Sequence, residues 1–154
     1  MKHLTLFLVA TLIVASFANA QQIKLINSGE VLNRAAGLRD SQEYDLAIKH
    51  LLTIPKRDTN YVTMQDRLAH LYLLTKEYDK SEVVANDILK KRTEFKGAAL
   101  AVKARSYERR KDYAKAIEIA QGGLKDYPFH VDLLYQLATA YHNSNDYKNA
   151  IKTY

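Results

Sequence analysis

The sequence predicts an all-α fold, a stacked array of antiparallel helix pairs, and three observations carry the prediction. Four tyrosines, Tyr44, Tyr78, Tyr113 and Tyr147, recur at intervals of 34, 35 and 34 residues. Nine residues before each stands an alanine (Ala35, Ala69, Ala104, Ala138), and three residues after each stands a small residue (Ala47, Ser81, Ala116, Ala150). No stretch alternates polar and apolar as a half-buried strand does. A fixed period near 34 marks an array whose units bury their apolar faces only by stacking on one another.

The N-terminus is expected to stand outside that array. Lys2 and His3 form a short basic start, Leu4 to Ala18 is almost unbroken apolar sequence, and Ala18-Asn19-Ala20 places small residues at a cleavage site. This is the pattern of a secretory signal peptide over residues 1–20. The alternative, an uncleaved membrane anchor, is disfavoured because the run is about 15 residues and a span needs roughly 20. No cysteine stands near the cut to carry a lipid. Removal of the leader takes Lys2 from 23 basic residues, leaving 22 against 17 acidic ones, a net charge of +5. The chain has no cysteine at all, so an exported product must hold together by packing alone. That combination points to the periplasm or outer membrane of a bacterial envelope, with secretion as the alternative.

A short linker is expected over 21–27, and helices over 28–40, 44–53, 60–75, 78–92, 96–110, 113–126, 129–144 and from 147 onward. Within them the apolar residues keep helical spacing. Leu134, Leu137, Ala138 and Tyr141 fall at i, i+3, i+4 and i+7, and Ile117, Ala120 and Leu124 make the facing stripe in the preceding helix. An acid (Glu43, Glu77, Asp112, Asp146) precedes each repeated tyrosine, where the positive end of a helix favours negative charge. Pro55 ends the second helix, Pro128 separates the third unit from the fourth, and Gly122-Gly123 lets neighbours approach closely. The alanine column marks close helix crossings, where a larger side chain would push the axes apart. Three residues on, Leu38, Tyr72, Tyr107 and Tyr141 are large enough to fill the space between units, with hydroxyls that need partners.

These columns resemble the tetratricopeptide repeat family. The fourth unit matches best (Leu134, Leu137, Ala138, Tyr141, Tyr147, Ala150), and the third adds Tyr107, Ala116 and Pro128. The resemblance runs over 28–154, as units near 28–60, 61–95, 96–129 and 130–154, about three and a half repeats. Arg34 and Leu38 in the first unit, and Ser81 and Thr93 in the second, depart from the family pattern. The resemblance implies a right-handed superhelix with a concave groove lined by first helices. Its groove positions carry over to Asn33; Asp66, Arg67 and His70; Arg105; and Tyr135, Gln136, Thr139 and His142. Arg67 and Arg105 are expected to be exposed. Some relatives grip a terminal carboxylate there, but Leu32, Ala36, Ala98 and Val102 occupy the clamp positions and disfavour that mode.

Catalysis is not expected. No histidine pairs with another at metal spacing, no nucleophile or phosphate-loop motif occurs, and no cofactor is implied. Asp66 and His70 form an ordinary i, i+4 pair. The basic runs Lys90-Lys91-Arg92 and Arg109-Arg110-Lys111 complement helix C-termini. The charge is dispersed, which argues against nucleic acid and leaves peripheral attraction to an anionic membrane as a weaker possibility. The sequence breaks off about two turns into a second helix without a cap, so a continuation or a covering partner is expected there. The function expected is an exported, non-enzymatic scaffold that binds a protein or peptide in its groove. The alternative is an N-terminal accessory region of a longer exported protein, either an outer-membrane β-barrel or an envelope enzyme.

Overall fold

The structure, a computed structural model, describes residues 26–153. The leader over 1–20, most of the linker and Tyr154 lie outside the described residues. Eight helices follow one another with no strand among the described residues: α1 (Ser28–Asp40), α2 (Tyr44–Leu51), α3 (Tyr61–Leu74), α4 (Tyr78–Leu89), α5 (Lys96–Arg109), α6 (Tyr113–Asp126), α7 (Val131–Asn143) and α8 (Tyr147–Thr153). The all-α repeat array is the observed fold.

The helix ends differ from expectation where local chemistry closes them early. The stop predicted at 53 falls at Leu51, because the Thr53 hydroxyl donates to the His50 carbonyl at 2.7 Å and the Ile54 amide turns back to the Leu51 carbonyl. The helix predicted to reach 92 stops at Leu89, where the Lys91 amide closes a turn on the Ile88 carbonyl. At the other end, α7 begins at Val131 rather than 129, since His130 is still extended (φ −74°, ψ 108°).

Each helix pair turns through the same device. Gln42, Lys76, Lys111 and Asn145 adopt left-handed conformations (φ 63°, 63°, 66° and 64°), one per unit. The acid that follows each donates its amide to the carbonyl of Leu38, Tyr72, Tyr107 or Tyr141, at 2.8, 2.8, 2.9 and 2.9 Å. This six-residue closure is the Schellman motif. It fixes the angle at which every second helix leaves the first. The acids then divide by length. The shorter carboxylates of Asp112 and Asp146 accept the amides of Lys115 and Asn149, whereas Glu43 and Glu77 cap nothing.

Stacking follows the small-residue columns. Every helix packs on the next, α3 also meets α5, and α5 also meets α7. Ala35, Ala69, Ala104 and Ala138 are all buried, as are Ala47, Ser81, Ala116 and Ala150. Three cores result, one at each junction between units. The first gathers Leu32, Leu51, Ile54, Met64 and Leu68; the second Ala69, Ala85, Ile88, Ala99 and Val102; the third Ala104, Ala120 and Leu137. Ser81 departs from alanine without loss. Its hydroxyl donates to the Ala69 carbonyl at 2.8 Å, so a polar group sits satisfied in a dry crossing. Gly122 and Gly123 both lie inside α6 and differ in role. A Cβ at Gly123 would meet Leu133 at 2.9 Å, whereas one at Gly122 would meet nothing within 4 Å.

The large column packs between units, and two of its three hydroxyls find partners. Tyr107 donates to Glu82 at 3.2 Å and Tyr141 accepts from Gln121 at 2.6 Å. The Glu82 carboxylate holds the Tyr107 phenol above its usual range. The first two units are tied by side chains as well. Arg67 Nη1 donates to the Leu32 carbonyl at 2.7 Å, and Asn60 Nδ2 donates to Ser28 Oγ at 2.9 Å.

Candidate functional site

Where α1, α3 and α5 stand side by side, they line a groove of about 620 Å³. Its wall residues come from fixed steps of the repeat. Immediately after the alanine column come Ala36, His70 and Arg105; three and four places further come Arg39, Leu73, Leu74 and Arg109. Ala35, Leu51, Leu71, Lys76 and Tyr78 complete the lining around Asp66 and Arg67. The wall thus holds five cationic side chains (Arg39, Arg67, Lys76, Arg105, Arg109) and one carboxylate, Asp66.

Asp66 is the unusual group of the site. Burial pushes its carboxyl above the ordinary aspartate range, and Asp132 adds to the effect, while the charges of His70 and Arg67 oppose it. Its Oδ1 is closed to solvent and accepts no hydrogen bond. His70 Nε2 lies 3.9 Å from it, an ion-pair distance only, with the imidazole about half exposed.

Of the nine side chains assigned to a groove from sequence, Asp66, Arg67, His70 and Arg105 come together here. The other five do not line this groove. Asn33 is exposed on α1. Tyr135 and His142 are exposed on α7, with the His142 ring edge-on to Tyr147 at 5.4 Å. Thr139 is half-buried with an unpartnered hydroxyl. Gln136 is buried, only 5% exposed, so it belongs to the packing of α7 rather than to an open surface. The reason lies in the register. Asn33, Arg67 and Gln136 share one column with Val102, and Val102 is 1% exposed: from the second unit on that column packs inward, while Asn33 in the first unit stays exposed. Arg67 reaches the groove from the packing column only by its length. It is half-buried and bonded to Leu32, and Arg105 is half-buried on α5, both contrary to the expectation that they are exposed. Arg39, Lys76 and Arg109 were missed, although the column four places after the alanines leads to Arg39 and the next to Arg109.

Among the described residues no group of three or more His, Asp or Glu side chains is placed to hold a metal ion, and no helix is long and apolar enough to cross a membrane.

A solenoid of helix pairs with a lined concave groove defines the class: a helical-repeat protein. The tetratricopeptide repeat family model matches residues 131–154, and the same columns run through the three earlier pairs. Over residues 131–154 the chain is similar to that family, and its helical-repeat fold extends the same architecture over the described residues. Solved structures share the fold. MamA from Desulfovibrio magneticus RS-1, residue 41 to its end, superposes at TM-score 0.63 with 16% identity, over 82% of this chain and 71% of that one. A double mutant of MamA RS-1 gives 0.63 and 16%, over 82% and 70%. A Podosopora anserina structure of nearly identical TPR-like repeats, of kinesin light chain type, gives 0.64 and 13%, over 95% and 80%. No curated protein sequence matches the chain.

Proposed function

We propose that the protein is an exported, non-enzymatic scaffold whose concave groove captures a peptide or a segment of a protein partner. The observation that carries this is the groove itself: about 620 Å³, walled chiefly by three consecutive first helices, with apolar and charged side chains side by side in its lining. Such a shape presents contacts along a line rather than around a reacting atom, which suits an extended chain. The repeat fold and its structural relatives support a protein–protein role. The apolar leader and the absence of cysteine support an envelope location, and the net charge of +5 without the leader favours a resting place near an anionic surface.

Capture from envelope extract tests the groove. Arg105→Glu and Arg109→Glu reverse charge on the wall, and neither residue bonds another unit. The double variant is expected to keep its helical circular dichroism and lose most of the captured partner. Unchanged capture would remove the groove from the reading. Arg67→Glu is unsuitable, because it breaks the tie to Leu32. Export is tested separately: a reporter fused behind residues 1–20 is expected outside the cytoplasm, and a cytoplasmic reporter would exclude it.

A further inference from the structure

We propose that the occupant of the groove is an extended acidic peptide segment. It sets carboxylates against Arg39, Arg105 and Arg109. This rests on the groove being the partner site, and it specifies the chemistry of what enters.

The first support is charge. Five cations face one carboxylate across the wall. Neither Arg105 nor Lys76 has an acid within ion-pair distance among the described residues. Arg39 and Arg109 pair only with their chain neighbours Asp40 and Glu108, at 2.8 and 3.5 Å, with both arginine side chains at least half exposed. Exposed pairs of this kind are weak and exchange readily for a better-placed carboxylate. The second support is reach: the side chains of an extended peptide alternate to either side, so its carboxylates meet arginines on both α1 and α5. The third is the lining: Leu71, Leu74 and Tyr78 lie among the charges, so the segment carries aliphatic residues between its acids. The cations sit inside a concavity, which a chain enters and a flat bilayer does not.

The test is fluorescence anisotropy with a labelled peptide of glutamate and leucine spaced by glycine, against its glutamine and lysine counterparts, using the purified chain. The glutamate peptide is expected to bind about tenfold or more tighter than the glutamine peptide, with an affinity that falls as salt rises. Arg105→Glu is expected to weaken it about tenfold with unchanged circular dichroism. Equal binding of glutamate and glutamine peptides, with amide shifts at Ala36, His70 and Arg105, overturns the acidic assignment and leaves the groove as the partner site. No shift there with any peptide, while the extract still yields a partner that Arg105→Glu and Arg109→Glu release, also overturns it. Binding of phosphatidylserine vesicles in place of every peptide, lost in Arg105→Glu, overturns it in favour of a membrane.

Discussion

Asp66 carries the pH dependence of the site. Its folded pKa stands above the unfolded value because burial disfavours the charged form. The stability tied to its protonated form is present at low pH and is lost as pH rises through the folded pKa. Asp66→Asn is therefore expected to be more stable than the parent near neutral pH, by about 1 kcal/mol or less given partial solvent screening. The gap should close as pH falls below the ordinary aspartate range. Urea melts at several pH values measure this, and a constant gap would show that desolvation is not its origin. Ser81 makes a second test at this scale. Ser81→Ala removes a buried donor to Ala69 and is expected to cost about 1 kcal/mol. Ser81→Leu overfills the crossing and is expected to cost about 1–3 kcal/mol, a ranking that thermal melts would check.

Among the elements, the turns and the glycine pair separate two uses of backbone freedom. Lys111 is held at φ 66° in a conformation that side chains disfavour. Lys111→Gly is expected to raise stability by about 0.5–1 kcal/mol, since relief of strain outweighs the added freedom of the unfolded chain. In α6 the expectation reverses between neighbours. Gly122→Ala meets open space and is expected to gain about 0.5–1 kcal/mol of helix stability. Gly123→Ala drives a methyl into Leu133 and Leu100 and is expected to destabilise. Chemical denaturation of the three variants checks the signs together. From sequence the two glycines read alike, because contact between α6 and its neighbours is not a property of a single segment.

The whole molecule shows why the fold was so legible and the site only in part. Period, alanine column and tyrosine column are all demanded by stacking, and stacking repeats, so each unit restates the same constraint. Helix existence and order followed from this; ends at Leu51, Leu89 and Val131 did not, since single hydrogen bonds decide them. The groove is not repeated. Ala36, His70 and Arg105 share a column yet share no chemistry, and adjacent columns differ by one step between wall and packing. That one step separates Asp66 from Arg67 and buries Gln136.

The proposed function requires partners to meet the first helices. Hydrogen exchange of the chain with and without a captured partner addresses it directly. New protection is expected in α1, α3 and α5, strongest around Ala36, Asp66–His70 and Arg105–Arg109. Protection confined to α2, α4 and α6, with the first helices unchanged, would contradict it.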